Sequence, residues 1–541
     1  MPNRIAEPPD GRLPDGFTVV LDRRARRLAS VSGGTSLLGL SPGRLLHLSP
    51  TASRLLAAGD RLTVRDAGSA ALARRLLDTG IAHPAVPAPP AAEARPAPPA
   101  DAAPAHSVPA PPARPSHPGV PVAGVPAERD VTVVVPVKDR PEQLRRLLAA
   151  LAATAPDLAG VIVVDDGSAE PGRCRAVAEA AGARLVRHQQ SAGPAAARNT
   201  GLAEATSPLV AFLDSDVVPQ PGWLAPLLAQ LADPAVALAA PRIVGLAGAG
   251  REGWLDRYER LRSSLDLGPD PGPIVPRTRI AYVPSAALLV RAALVTGTNG
   301  DADAHHSRAL FDERMRVAED VDLCLRLHAA GWRLRYEPAA RVAHEHRVRP
   351  LAWWTRKAFY GTGAAPLAAR HPGLVPPLVL APWAAGVTLL VGWQRRWSVL
   401  AAGVVTGFAW RRMRRTVAKL RDPAATAGLL LGLGLGSAAG QAAGVLTRHW
   451  WPMTVLGCVF SRRVRRAALL AAVAEGLYDW YRHRPPPEEP GLDPVRYLVA
   501  HRLDDLGYGT GLWRGALQAR TTAPLRPVIT RRSHTPPLRG T

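Results

Sequence analysis

The sequence predicts an α/β chain in which a doubly wound sheet occupies residues 130–370, between a small α+β domain and an apolar helical region. Short apolar runs alternate with amphipathic segments between residues 131 and 216, which is typical of βαβ units. Residues 84–129 consist mostly of Pro and Ala and indicate an extended linker. From residue 374 onward, uncharged stretches alternate with arginine clusters, which favours helices at a membrane.

Composition limits the classes of partner. With 541 residues, of which 47% are hydrophobic, the chain can bury the cores of several domains. Its net charge of +23 suggests a membrane surface, a phosphate-rich substrate or nucleic acid. The three cysteines, Cys174, Cys324 and Cys458, lack the spacing of a disulfide framework or a zinc site. This cysteine usage indicates a reducing, cytoplasmic location for the catalytic part.

Residues 10–83 predict the small N-terminal domain. Phe17–Asp22 alternates like a strand, Pro50 follows Ser49 at the start of a short helix, and residues 69–79 are amphipathic. This order is similar to the winged-helix peptide-recognition domains of peptide-modifying pathways. A plain accessory α+β domain explains the same residues equally well.

The next domain begins with a strand that is buried on both faces. Val131–Val137 is a continuous β-branched run, and Arg140-Pro141 then starts a helix. Val161–Asp166 is a second strand, and it ends in two carboxylates. Because ligands bind at the carboxyl ends of strands in open α/β sheets, these ends predict the site.

A third apolar run, Leu209–Leu213, ends in Asp214-Ser215-Asp216. Two carboxylates at one strand end repel each other unless a cation lies between them. Mg²⁺ and Mn²⁺ prefer carboxylate oxygens and are shared with substrate phosphates. Taken alone, such a pair more often closes an acidic turn, so the interpretation depends on the residues around it.

Two further polar motifs complete the set: Glu319-Asp320 opens an amphipathic helix, and His344-Glu345-His346 follows a strand-like run. In this order, the motifs of residues 131–347 resemble those of the family 2 glycosyltransferases with a GT-A fold. The resemblance implies a metal-dependent, inverting hexosyltransferase that uses a nucleotide-sugar donor and a divalent cation, Mn²⁺ or Mg²⁺. It also implies that Asp320 is the catalytic base. Its position at a helix N-terminus favours the ionised form.

The resemblance implies three further groups of site residues. The donor nucleotide would contact Pro136, Val137, Asp139, Asp165, Asp166, Arg198, Asn199, Asp214 and Ser215. The metal would be held by Asp216, as the direct ligand, with Asp214 and His344. The acceptor and the diphosphate would be served by Glu319, Asp322, Ser285, Ala286, His346, Arg356 and Lys357. Taken singly, Glu319-Asp320 could be a helix cap and the histidines solvated; the ordered set argues for a site.

Five segments narrow the resemblance to the glycosyltransferases of mycofactocin biosynthesis. They are residues 198–202, 240–245, 263–268, 282–287 and 356–361. This similarity implies transfer of glucose from UDP-glucose to a peptide-derived redox cofactor precursor, building a β-1,4-linked oligoglucoside. The chain departs from the pattern in its long linker and in a polar insertion, Thr296–Arg308, before Phe311.

The C-terminal region, residues 374–477, predicts attachment to the cell membrane with the catalytic domain facing the cytoplasm. Leu374–Trp393 is about 20 residues without a charge, long enough to span a bilayer. Thr426–Thr447 is also apolar, and arginines follow both hairpins, in line with the positive-inside rule. In-plane helices and a soluble helical domain are the alternatives. Residues 478–541 are rich in Pro and Arg and predict a mostly irregular tail.

Two other functions fit parts of the sequence. A membrane polysaccharide or cell-wall glycan synthase of family 2 would carry Q-x-x-R-W, but Gln394-Arg395-Arg396-Trp397 is one residue short. A non-catalytic basic binding protein would use the positive charge for nucleic acid. The arginine clusters flank apolar segments and do not alternate with exposed aromatic residues, which favours membrane phosphates over nucleic acid.

Overall fold

The described part of the chain comprises residues 5–9, 11–31, 34–40, 43–57, 59–85, 124–246, 253–295, 309–485 and 491–530 of a computed structural model. Most of the predicted linker and the predicted Thr296–Arg308 insertion lie outside these residues.

The described residues of the N-terminal domain form two small antiparallel sheets and two helices. Its elements are β1 (Thr18–Leu21), β2 (Arg26–Ala29), β3 (Thr35–Leu40), β4 (Gly43–His47), α1 (Pro50–Leu55), β5 (Arg61–Thr63), α2 (Ala67–Asp78) and β6 (Ala82–Pro84). The sheets have the orders β5-β1-β6 and β2-β3-β4. The Asp66 carboxylate caps α2 by accepting from the Ser69 backbone N–H over 2.7 Å. The predicted strand and both predicted helices are therefore present, together with a hairpin that the leucine-rich run had not revealed.

Ion pairs fasten this domain to the next one. Arg74 of α2 pairs with the buried Asp233, with contacts of 2.5 and 2.8 Å, and Arg333 pairs with Asp78 at 2.6 Å. The Trp332 indole N–H donates to the Ala6 carbonyl oxygen over 2.6 Å. These contacts join charged and polar groups that are largely removed from water, so they fix the position of the N-terminal domain against the domain that follows.

The domain predicted to be catalytic has nine strands among its described residues. They are β7 (Val131–Val137), β8 (Gly160–Asp166), β9 (Arg184–His188), β10 (Leu209–Leu213), β11 (Val217–Pro219), β12 (Val236–Gly245), β13 (Gly272–Pro273), β14 (Ala287–Arg291) and β15 (Arg333–His344). Its helices are α3 (Pro141–Thr154), α4 (Pro171–Ala180), α5 (Pro194–Glu204), α6 (Leu224–Leu231), α7 (Trp254–Arg262), α8 (Glu319–Ala329), α9 (Pro350–Thr362) and α10 (Ala364–Arg370).

These strands form one mixed sheet in the order β11-β15-β12-β14-β10-β7-β8-β9, with β13 beside β15. Strands β7, β8, β9 and β10 run parallel, as the alternation predicted. Strand β14, however, is antiparallel to both β10 and β12, so the sheet is mixed, and the parallel order expected of a doubly wound sheet holds for the half that contains β7 to β10. Two hydrophobic clusters, one on each face, bury β10 completely and β7 except for the partly exposed Pro136.

The C-terminal region is helical. Its elements are β16 (Val379–Leu380), α11 (Pro382–Gly392), α12 (Arg396–Thr416), α13 (Pro423–Gly444), α14 (Trp451–Phe460), α15 (Arg462–Leu470), α16 (Gly476–Arg482), α17 (Pro494–Gln518) and β17 (Val528–Ile529). A π-helical turn, Val445–His449, continues α13, and a second one, Ala471–Glu475, joins α15 to α16. By length and composition, the 27-residue helix Pro423–His449 could cross a membrane.

Two expectations for this region were wrong. The uncharged stretch from Leu374 to Trp393 forms only an 11-residue helix, α11, because prolines interrupt its first half. The tail was expected to be mostly irregular, yet α17 is a 25-residue helix with eleven buried residues. Its side chains contact α7 and α9, so this segment is part of the catalytic domain's support.

Candidate active site

The carboxyl ends of β7, β8 and β10 form the floor of the candidate site. The loops after β7 and β8 are joined, because the Asp139 N–H donates to Ser168 Oγ over 2.9 Å and Asp139 Oδ1 accepts from the Ala169 N–H over 2.7 Å. Gly167 closes the second loop with φ +71°, and a Cβ there would lie 2.8 Å from the Ser191 nitrogen. Pro136 and Val137 end β7 directly before this junction.

Asp165 and Asp166 end β8 and are both buried. Asp165 pairs with Arg187 and accepts from the Ser168 N–H over 2.9 Å. Asp166 accepts from His188, from Ser191 and from two backbone N–H groups just before α5. Burial alone would raise the pKa of Asp166, but these hydrogen bonds outweigh it and lower the pKa. In this structure the pair holds the loop that leads into α5; its nucleotide-reading role stays a prediction.

Arg198 joins two of the predicted acidic motifs. Its guanidinium donates to Asp214 Oδ1 over 2.6 Å and to Glu319 Oε1 over 3.0 Å. The guanidinium also lies 5.4 Å from the centre of the Phe311 ring. Burial acts to lower the pKa of Arg198, but the two carboxylates overcome it and raise the pKa. The side chain is therefore a permanent positive charge between the metal motif and the helix that carries the predicted base.

The side chain of Asn199, the residue after Arg198, holds the loop at residues 310–313. Its amide nitrogen donates to the Phe311 carbonyl oxygen and to Glu313, each over 2.9 Å. Its amide oxygen accepts from the N–H groups of Leu310 and Phe311, each over 3.0 Å. Because these contacts occupy the amide, Asn199 fixes the loop before α8, and its predicted contact with the donor stays a prediction.

Of the three predicted metal ligands, Asp216 and His344 lie together, whereas Asp214 has a different partner. Strand β11 is antiparallel to β15, with Val217 opposite His344, and this register brings His344 Nε2 to 3.6 Å from Asp216 Oδ1. Asp216 also pairs with Arg140, whereas Asp214 is held by Arg198. Ser215, between them, is buried.

The donor set suits a hard divalent cation. His344 Nδ1 is buried and has no hydrogen-bond partner among the described residues, so the imidazole is not committed elsewhere. Burial would raise the pKa of Asp216, but the charges of His344 and Arg140 lower it, which keeps the carboxylate ionised. A carboxylate with an imidazole fits Mn²⁺ or Mg²⁺, provided that substrate phosphates and water complete the shell.

Asp320 lies at the first turn of α8. Its Oδ2 accepts from the Ser285 N–H over 3.1 Å, and its Oδ1 accepts from the Val321 N–H over 2.8 Å. Burial, helped by the negative charge of Glu319, raises the pKa of Asp320 to about 7. The helix N-terminus therefore does not dominate, contrary to the expectation from sequence. A base whose pKa is close to the working pH is well matched to general-base catalysis.

The helix start is strained. Ala318, directly before Glu319, has φ +64°, a left-handed conformation that is costly for a residue with a Cβ. On the strand side of the site, the Asp214 N–H donates to the Ala286 carbonyl oxygen over 3.0 Å. Ser285 and Ala286 therefore connect the metal motif with Asp320 through their backbone groups.

Besides Glu319, four residues predicted for the acceptor or diphosphate have side-chain partners inside the protein. Asp322 is fully buried against Arg326, Arg370 and His371, and it ties α8 to α10. His346 lies 3.7 Å from Glu259, and burial lowers the pKa of His346 to about 3.

The other two lie on α9. Arg356 covers the rings of Phe359 and Tyr360. Lys357 is buried, with Glu259 Oε1 at 2.9 Å and Asp504 Oδ2 at 3.2 Å. Like the others, these residues have local partners, and their predicted roles remain untested.

Lys357 belongs to a buried ionic network that sequence reasoning missed. Within it, Glu475, Asp479 and His501 have possible ligand atoms within 4.8 Å of one another. Arg262 pairs with Asp479 at 3.0 Å, and Arg502 pairs with Glu475, so guanidinium groups already neutralise both carboxylates. The network fastens α7, α9 and α16 to α17, and no sequence motif marks its members.

Comparison with known proteins identifies relatives over nearly the full chain. The family described as Glycosyl transferase family 2 matches residues 132–292. The pre-mycofactocin glycosyltransferase of Mycobacterium tuberculosis is 44% identical over 521 residues, covering 96% of this chain and 99% of that protein. The succinoglycan biosynthesis protein ExoU of Rhizobium meliloti is 32% identical over 39% of this chain and 60% of its own length. The mannosyltransferase structure from Pyrobaculum calidifontis, with GDP-Man and Mn²⁺, has a TM-score of 0.33 and 18% identity, covering 71% of this chain and 87% of that one.

Proposed function

Since this chain belongs to the pre-mycofactocin glycosyltransferases of glycosyl transferase family 2, we propose that it transfers glucose from UDP-glucose to a peptide-derived redox cofactor precursor with inversion. Repeated transfer would build a β-1,4-linked oligoglucoside. The observation that supports a group transfer most directly is the position of Asp320: its carboxylate accepts from the Ser285 N–H, and the next residue, Ala286, accepts from the Asp214 N–H of the metal motif.

The chemistry follows from these groups. Asp320 takes the proton of an acceptor hydroxyl, and the oxygen attacks the anomeric carbon from the face opposite the nucleotide. A new glycosidic C–O bond forms as the bond to the diphosphate breaks, and UDP leaves with the bonding electrons. Arg198 keeps Asp214 and Glu319 in place on either side of this event. A divalent cation bound at Asp216 and His344 would offset the charge on the leaving diphosphate.

A panel of nucleotide sugars tests the donor and the acceptor together. The chain is incubated with Mn²⁺, a peptide-derived precursor and one donor at a time, and the products are weighed by mass spectrometry. We expect a gain of one or more hexose masses with UDP-glucose. A hexose gain only on a polysaccharide acceptor would support the glycan synthase instead, and no transfer with any donor would support the binding protein.

We also propose that the helical region attaches the enzyme to an anionic bilayer. Its helices expose large apolar side chains, among them Leu389, Trp397, Leu400, Phe408, Phe460 and Leu470; Phe408 is 70% and Phe460 81% exposed. Arginine clusters at residues 411–415 and 462–466 adjoin these side chains in sequence. Apolar side chains flanked by cations are the combination that anionic headgroups and acyl chains accept.

Two contacts favour helices that lie in the membrane plane over helices that span it. Helix α13 is about 40 Å long with its π-helical turn. Before its first turn, Arg421 donates its N–H to the Ala29 carbonyl oxygen of the N-terminal domain over 2.8 Å. At its other end, Arg448 donates to Asp505 of α17 over 2.7 Å. Both ends thus contact domains that are fastened to each other, whereas a spanning helix would separate them by the bilayer.

A further inference from the structure

Helix α17 crosses α9 with backbone against backbone. A Cβ at Gly511 would lie 1.7 Å from the Ala358 carbonyl oxygen, and one at Gly361 would lie 2.1 Å from the Tyr508 carbonyl oxygen. Only glycine permits this approach, because any side chain at either position would overlap main-chain atoms. The crossing therefore fixes where Tyr508 lies along α9.

The same kind of contact extends in both directions. A Cβ at Gly509 would lie 2.1 Å from the Arg448 carbonyl oxygen, so the end of the α13 helix touches α17 beside Tyr508. A Cβ at Gly363 would lie 2.9 Å from the Ala318 Cβ, so α9 touches the residue just before Glu319-Asp320. A chain of close contacts therefore runs from Arg448 and Tyr508 to the start of α8.

The side chains at this junction are partly open to solvent. The Arg448 guanidinium lies over the Tyr508 ring, 5.6 Å from its centre, and Arg448 is 32% exposed. Its Nε donates to Asp505, whereas its Nη groups donate to no atom of the described residues. Tyr282 is 42% exposed, and partial burial, together with the nearby Tyr508 and Asp320, raises the pKa of its hydroxyl. It stands three residues before Ser285, whose N–H donates to Asp320.

The junction of Arg448, Tyr508 and Tyr282 differs in charge from the part of the site that is predicted to bind the donor. Asp505 pairs with both Arg448 and Arg502, and Arg502 also pairs with Glu475, so two carboxylates compensate the two guanidinium charges. Both aromatic partners are neutral phenols, so the site suits an uncharged ligand. The charged groups that suit a diphosphate with its cation lie at the metal motif and its partners; they are Arg198, Arg140, Asp216 and His344. A pyranose ring has an apolar face that packs on an aromatic ring and hydroxyls that accept from free guanidinium N–H groups.

We propose that Tyr282, Tyr508 and Arg448 bind the terminal sugar of a glucosylated acceptor and direct its hydroxyl toward Asp320. The inference rests on the proposed transfer reaction. It gives the C-terminal helices a direct part in the site, because two of the three residues come from them.

The test uses the full-length enzyme in detergent with Mn²⁺, UDP-glucose and a precursor that already carries one glucose. For Tyr282→Ala and Tyr508→Ala we expect the KM for this acceptor to rise at least tenfold, with the UDP Kd changed less than twofold. Tyr481→Ala is the matched control, because this tyrosine is also exposed in the helical region; it should change neither value. Arg448→Lys should raise the acceptor KM, because the charge is kept and the fork of donors is lost.

Each result bears on one proposal. If wild-type enzyme transfers glucose but the acceptor KM stays constant in both tyrosine variants, the inference is wrong and the proposed function stands. An equal rise for the unglucosylated precursor would overturn the assignment to a sugar. If wild-type enzyme transfers no hexose at all, the proposed function itself fails. Tyr508→Phe and Tyr282→Phe, which keep the ring, should retain near-normal KM and exclude a folding defect as the cause.

Discussion

Arg198 Nη1 donates to Glu319 Oε1 over 3.0 Å, and this contact joins residues 121 positions apart in the sequence. The same guanidinium donates to Asp214. One buried cation therefore connects the metal motif with the helix that carries the predicted base, and the two halves of the site depend on each other.

Removing this cation should unfold the site. Arg198→Ala would leave Asp214 and Glu319 without their partner, and breaking a buried ion pair in this way costs about 3–5 kcal/mol. We expect a clear fall in the thermal midpoint, measured by differential scanning fluorimetry, and loss of transfer. Arg184→Ala is the control, since its pair with Glu204 is largely exposed and should contribute less than about 1 kcal/mol. An equal fall in both variants would contradict the prediction.

Replacing the Asp320 carboxylate by a neutral amide should stop glycosyl transfer and leave UDP binding unchanged. Asp320→Asn keeps the shape of the side chain but cannot accept the proton, so kcat should fall by about 10²–10⁴. The UDP Kd, measured calorimetrically with Mn²⁺, should stay within twofold. Glu170→Gln removes a well-exposed carboxylate and should leave both values unchanged. A normal kcat for Asp320→Asn would remove this residue from the mechanism.

The pH dependence of the rate should report Asp320. Burial and the Glu319 charge raise the pKa of Asp320 to about 7, and the base acts when deprotonated. Hence kcat/KM should rise with pH through about 7 and then reach a plateau. Glu319→Gln removes the neighbouring negative charge, which lowers the pKa of Asp320 and moves the inflection to lower pH. An inflection that stays fixed or moves upward would exclude this coupling.

Chelation of the divalent cation should remove transfer activity. Substitution of either proposed ligand should weaken metal binding, whereas substitution of a histidine outside the metal site should not. EDTA should abolish transfer, and added Mn²⁺ or Mg²⁺ should restore it. Asp216→Asn and His344→Ala should each weaken Mn²⁺ binding in the presence of UDP by at least tenfold, as followed by electron paramagnetic resonance. His371→Ala, which removes a partly buried imidazole paired with Asp322, should leave Mn²⁺ affinity unchanged. Unaltered Mn²⁺ binding in both ligand variants would place the cation elsewhere.

In-plane attachment has a topological signature. In a background with Cys458→Ser, in which the remaining Cys174 and Cys324 are buried, one accessible cysteine at a time is placed at Ala424, near the start of α13, at the exposed Met453, just beyond its far end, or at Glu170, and is labelled with a membrane-impermeant maleimide. All three positions should react from the same face of sealed vesicles. Labelling of Ala424 and Met453 from opposite faces would show that α13 spans the bilayer.

The parallel half of the sheet and its motifs could be predicted because their evidence is local. Val131–Val137 and Leu209–Leu213 are continuous apolar runs that end in polar groups, and that pattern identifies a buried strand with a site at its end. The direction of β14 could not be predicted in this way. Ala287–Arg291 is equally apolar, and only its partners determine that it runs antiparallel.

Helix α17 shows a second limit. Its segment contains glycines at 507, 509, 511 and 515 and charges at Asp504 and Asp505, which by propensity disfavour a buried helix. The close approach to α9 and the ionic network around Lys357 reverse that preference. Both depend on residues more than a hundred positions away, so no local pattern could reveal them.

Because the N-terminal domain is held by ion pairs, the Pro- and Ala-rich linker is not needed to position it. The ion pairs of Arg74 with Asp233 and of Arg333 with Asp78 hold the two domains together without it. The linker then keeps the two domains at a high effective concentration, but it does not determine how they pack. Cutting it would turn an intramolecular contact into a bimolecular equilibrium, so residues 1–85 and 124–541, produced as two polypeptides, would reassemble above the Kd of that interface.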